Sequence, residues 1–94
     1  MEVRTSDLYE AAYYLERGCR LEAVDTVKLE NGKIDCVFVI EGTPEPLVWL
    51  MARWSRGQAE VNLTAFRSAY TQVSGYVHRA KRSNRFADRS GGGV

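Results

Sequence analysis

The stretch VKLENGKIDCVFVI, residues 27–40, constrains the fold most. Asn31-Gly32 lies between two alternating apolar segments, and Asn-Gly is the strongest short-range signal for a two-residue type I′ hairpin turn. Taking Glu30 opposite Lys33 as the closing pair sets Leu29 against Ile34, Lys28 against Asp35 and Val27 against Cys36. Two charge pairs and two apolar pairs then coincide. This register predicts one apolar face of Leu21, Ala23, Val27, Leu29, Ile34, Cys36, Phe38 and Ile40. Asp25 is the misfit, landing on that face opposite Phe38. Either a bulge re-aims it, or the sheet edge leaves it in water, or it is a functional carboxylate.

A lone hairpin needs a cover, and three helical patterns can supply one. In the first, Asp7 and Glu10 resemble a capping box, and Leu8, Ala11, Ala12 and Leu15 share a face. Arg17 and Gly18 suit its end, and Tyr9, Tyr13 and Tyr14 are expected at the rim of the core, the alternative being a stacking platform. The second, PEPLVWLMARWSRG, starts at Thr43 or Pro44 and presents Leu47, Leu50, Met51 and Trp54 as its core stripe. QAEV, after Gly57, is long enough for a short third strand. The third helix starts at Asn62 and carries a regular seam of Leu63, Phe66, Tyr70, Val73 and Val77. We expect that seam to pack on the hairpin, the alternative being its copy in a dimer. Gly75 is a weak point, at about 1 kcal/mol against Ala. These elements define an α+β domain, ordered α-β-β-α-(β)-α, over residues 1–82, with a basic, glycine-rich tail expected to be disordered over residues 83–94.

Ninety-four residues suffice for one modest core. The apolar runs fall far short of the roughly 20 residues of a membrane span, and MEVRTSDLYE lacks the pattern of a signal peptide. Cys19 and Cys36 form no disulfide framework or C-x-x-C pair, so both read as reduced thiols of a cytoplasmic protein. His78 is the single histidine, and no metal-ligand spacing, nucleophile motif or phosphate-cradling loop occurs. We therefore expect no enzyme, no metal and no cofactor.

The net charge of +1 hides an asymmetry. Residues 1–77 carry eight Lys/Arg against eleven acids, a net of −3, and residues 78–94 carry five against one, a net of +4. Arg79, Lys81, Arg82 and Arg85 form a candidate phosphate-binding cluster, because Lys and Arg displace counterions from nucleic acid. Trp49, Arg53 and Arg56 repeat at i, i+4 and i+7, a second candidate in which an aromatic stacks a base beside cations. The competing reading buries Trp49 under a loop and leaves the arginines and the tail solvated. No helix-turn-helix stands out, because the connection between the last two helices exceeds the usual tight turn.

TSDLYEAAYYLERGCRLEAV, residues 5–24, resembles the start of a family of short bacterial and phage proteins of unknown function. Their pattern, roughly T-x-D-L-Y-x-A-A-Y-L, then Gly, then a hairpin ending in an apolar aromatic strand, is matched by Thr5, Asp7, Leu8, Tyr9, Ala11, Ala12, Tyr13, Gly18 and, one position late, Leu15. Val61-Asn62-Leu63 also fits, with Leu63 where proline is often seen. The resemblance implies a mobile-element origin, the cytoplasm of a bacterial host and a compact α-β-β-α-α domain, with no catalytic residues to carry over. The leading expectation is an accessory protein that binds nucleic acid through its basic end. The alternative is a protein-binding inhibitor, adaptor or self-associating module without nucleic-acid contact.

Overall fold

Strand β3, Ile34–Glu41, is the axis of the molecule. In a computed structural model it pairs antiparallel on one side with β2, Arg20–Lys28, and on the other with β1, Glu2–Thr5. The structure describes the backbone of residues 1–92 and the side chains of residues 1–82. Helix α1, Leu8–Glu16, links β1 to β2, and α2, Pro44–Ser55, and α3, Leu63–Gly92, follow the sheet. The class is α+β, as expected. The third strand is β1 rather than QAEV, and residues 58–62 form an irregular connection. Glu-Val-Arg-Thr is too short for its alternation to stand out. It is fixed by pairing instead, with Val3 opposite Ile40 and Thr5 opposite Phe38.

The hairpin forms, but its register differs by one residue from the expected one. Lys28 faces Ile34, Val27 faces Asp35, Thr26 faces Cys36, Asp25 faces Val37 and Val24 faces Phe38. The cause is the turn. A type I′ turn needs positive φ at both central residues, yet no residue other than glycine has positive φ among those described. Gly32 alone takes it, at +84°. Leu29 and Lys33 close a three-residue loop through the Leu29 N–H and the Lys33 carbonyl at 2.8 Å. The Asn31 carboxamide accepts the Lys33 N–H at 3.0 Å. This is the pattern of a type I turn followed by a left-handed glycine.

A one-residue slip moves every side chain to the other face. Val27 and Leu29 are therefore 46% and 43% exposed, and Val24 packs on the core in their place. An irregularity between Leu21 and Ala23 then resets the phase, so Leu21 faces Ile40 and also packs inward. Without that bulge, Glu22 would point into the core. Asp25 is no longer a misfit. On the uncovered face it lies 3.4 Å from Arg4 of β1, which leaves it as an exposed ion-pair partner.

The helices cover the opposite face, where Phe38, Ile40, Tyr13, Tyr14, Leu47 and Val73 are almost fully buried. Each such side chain contributes roughly 1.5–3 kcal/mol of transfer free energy. Asp7 caps α1 by accepting the N–H groups of Tyr9 and Glu10. The expected capping box is not completed, because Thr5 Oγ1 takes the Asp7 N–H and donates to Glu10 Oε1 at 2.8 Å. Glu10 Oε2 accepts the Tyr14 hydroxyl at 2.6 Å, which satisfies a phenol that is only 1% exposed. Tyr13 and Tyr14 are thus core residues, Tyr13 stacking on Trp54 at 5.5 Å. Helices α1 and α2 both end on a left-handed glycine, Gly18 and Gly57.

Arg17 then clamps the connection to α3, donating to the Glu60 carbonyl at 2.7 and 3.1 Å, and Asn62 caps α3 through the Ala65 N–H. The seam of α3 packs on α1 as well as on β2 and β3. The expected stripe holds for Phe66, Tyr70, Val73 and Val77, with Ala69 and Ala80 added, but Leu63 is exposed. The α3 backbone runs through Gly92, past Arg82, where the sequence places the end of the compact domain. The side chains of the expected tail lie outside the described residues. Among the described residues, no helix is long and apolar enough to cross a membrane.

The turn gives a direct test of register. Asn31→Gly should destabilise the fold by about 1 kcal/mol, because it removes the Asn31–Lys33 bond and adds backbone freedom. Urea unfolding checks this. A type I′ turn would tolerate or prefer the glycine, so a gain in stability would contradict the observed loop.

Candidate nucleic-acid interface

The exposed side of α3 carries cations because its apolar residues are drawn inward at helical spacing. Arg67, His78, Arg79, Lys81 and Arg82 are all solvent-exposed. Elsewhere most of the arginines are engaged: Arg4 with Glu2 and Asp25, Arg17 with Glu16, Arg20 with Glu22, Arg53 with Glu60. Among the described residues, no ion pair engages Arg56, Arg67, Arg79, Lys81 or Arg82. The charge asymmetry of the sequence is therefore also an asymmetry of pairing.

The cluster is not one patch. Residues two apart on a helix point roughly 200° from each other. Arg79 lies on the β2 side with its guanidinium 4.6 Å over the Tyr76 ring. It borders a groove of about 480 Å³ whose walls include Leu21, Val24 and Ala80. Lys81 lies on the other flank, at a crevice of about 200 Å³ with Asp35, Cys36 and Val77. Arg82, three residues from Arg79, belongs with the exposed ridge between them. The Arg85 side chain lies outside the described residues.

The second candidate keeps part of its expected geometry. Trp49 is 54% exposed rather than buried under a loop, and Arg53 sits 4.8 Å over its ring. Arg53 is also 3.6 Å from Glu60, which competes for its charge. Arg56 forms the C-cap of α2 and is exposed. Helix α2 packs on α1 and, among the described residues, makes no close backbone approach to α3.

Tyr9 is 57% exposed and stacks on Tyr70 at 5.2 Å and 27°. Together with Phe66, Arg67 and Thr71 the two rings line a cleft of about 300 Å³. The partners are 61 positions apart, and no local pattern links them.

The ionisable groups of the interior serve the fold. Burial raises the thiols of Cys19 and Cys36, with Lys81 opposing the shift at Cys36. Burial also raises the Tyr13 and Tyr14 phenols, and the hydrogen bond to Glu10 raises Tyr14 further. Among the described residues, no group of three His, Cys, Asp or Glu side chains is placed to hold a metal. No family model, curated protein or solved structure matches the chain.

These shifts predict weaker stability at alkaline pH. The folded chain keeps protons that the unfolded chain releases near the ordinary thiol and phenol values of 9.0 and 10.0. This contribution is fully present below those values and is lost as pH rises beyond them. The melting temperature should fall above about pH 9, and Tyr14→Phe should flatten the decline above about pH 10. A melting temperature that climbs over this range would contradict the assignment.

Proposed function

We propose that the protein is a non-enzymatic accessory protein that binds nucleic acid through the cations of α3. The observation that carries this reading is the absence of ion pairs at Arg67, Arg79, Lys81 and Arg82 among the described residues, where most arginines elsewhere have an acidic neighbour. An exposed, unpaired guanidinium attracts phosphate without first breaking a salt bridge, and each one that neutralises a phosphate releases a counterion. Tyr76 holds Arg79 in place by its ring face. Arg53, Arg56 and Trp49 form a secondary contact on α2. The resemblance of residues 5–18 to short bacterial and phage proteins of unknown function supports a role in a mobile element within a bacterial cytoplasm.

A second reading is supported by the groove between β2 and α3. Strand β2 is an edge of the sheet, and the groove beside it is partly apolar. An added strand from a protein partner or a second copy fits such an edge. Light scattering that shows a tight dimer insensitive to salt, with no nucleic acid bound, would favour this reading.

Substitution is a cleaner test than truncation, because Val77 and Ala80 belong to the core and a chain cut at Gly75 would lose them. Replacing Arg79, Lys81 and Arg82 with Ala should leave circular dichroism unchanged and remove most binding to labelled DNA or RNA in fluorescence anisotropy. Arg79→Ala with Arg82→Ala should lower the salt slope by about 2. Lys81→Ala should do less, given its place beside Asp35. Unchanged affinity in the triple variant would sink the proposal.

A further inference from the structure

We infer that the ligand is single-stranded, with one base stacked on Tyr9 in the cleft beside Arg67; this rests on the nucleic-acid reading above. A base within a duplex has both faces occupied by its neighbours, whereas an unpaired base can stack on an aromatic side chain. Tyr9 supplies that surface. One side of its ring is supported by Tyr70 at 5.2 Å, and the residue is still 57% exposed. Arg67 lines the same cleft, has no ion pair among the described residues, and is placed for the adjoining phosphate. The two acids beside Tyr9 are occupied: Asp7 accepts the N–H groups of Tyr9 and Glu10 as the helix cap, and Glu10 accepts the hydroxyls of Thr5 and Tyr14.

The rest of α3 gives the strand a course. Arg67, Thr71, Gly75 and Arg79 follow each other at intervals of four, a row that crosses the exposed face diagonally. It runs about 18 Å along the axis, from the Tyr9 cleft to the Tyr76–Arg79 pair. Gly75 stands in the middle of this row. A Cβ there would meet nothing within 4 Å, so no packing within the described protein requires glycine at a position where it weakens the helix. The missing side chain leaves room for the ligand backbone to lie against the helix between a hydroxyl and a guanidinium.

The test compares a labelled oligothymidylate with a duplex of equal length, by anisotropy at low and physiological salt. The native chain should prefer the single strand. Tyr9→Leu should weaken single-strand binding roughly five- to hundred-fold, leave duplex binding unchanged and keep the melting temperature. Tyr9→Phe should retain affinity. Gly75→Gln should raise the melting temperature by a few degrees yet weaken single-strand binding, an opposition that a purely structural role would not produce. Equal affinity of Tyr9→Leu and the native chain for the single strand overturns this inference. If salt-sensitive duplex binding through Arg79 and Arg82 persists in that case, the broader proposal survives. No binding of either form at low salt overturns both.

Discussion

The position of β3 at the centre of the sheet governs the rest of the structure. Its inward residues Cys36, Phe38 and Ile40 must be covered, and a three-stranded sheet this narrow has room for little more than α1 and α3 across it. Tyr13, Tyr14 and Val73 meet that strand from the two helices, and Leu47 extends the same cluster to α2. The outward residues Val37 and Val39 are flanked by Arg4 and Asp25 on the neighbouring strands, so the uncovered face is closed off by ion-paired side chains. Pairing of the β1 and β2 charges and burial under the helices are two consequences of one alternation along β3.

That arrangement also decides which cations remain available. Arg4, Arg17, Arg20 and Arg53 lie among acids of the same sheet face or connection, and they pair. Helix α3 has no acid in its first turn and none between Asn62 and Arg82. Between Asn62 and Arg82 its exposed face therefore has no acidic partner on the helix itself. The core stripe and the basic face are complementary halves of one helical surface. A change that rotated α3 would bury charge and expose Val73 together, so the fold itself fixes where the cations point.

Much of the fold was legible because several signals are local. Asp7, Gly18 and Gly57 mark helix ends through backbone groups within a few residues, and the Leu47, Leu50, Met51 and Trp54 stripe needs only helical spacing. The hairpin was legible as well, but its register was not. Asn-Gly is compatible with a two-residue turn and with the last two positions of a three-residue loop. Charge pairing of Lys28 with Asp35 favoured the first. Burial of Val24 and Leu21, spaced by three and brought to one face only by the bulge at Glu22, favoured the second. Core burial outweighs exposed cross-strand ion pairs, whose usual contribution is below about 1 kcal/mol. Strand β1 was missed because four residues have no signature until β3 selects them.

The candidate site divides along the same line between local and distant. Arg79, Lys81 and Arg82 are visible as a run, but a run in sequence is a spiral on a helix, and only the packing of Val77 and Ala80 settles which of them share a side. Tyr9 was expected at the core rim with Tyr13 and Tyr14. Tyr9 and Tyr13 share a face of α1, and their place along its axis separates them: Tyr13 lies over the core, and Tyr9, one turn nearer the cap, meets Tyr70 of α3. The pair exists because α1 and α3 cross there, a contact that depends on the whole domain being assembled. Its aromatic surface beside Arg67 stands at the opposite end of the unpaired row from Arg79. On the proposed reading, a base-stacking group at one end of that row and a ring-held cation at the other would turn a general phosphate attraction into a path with a direction.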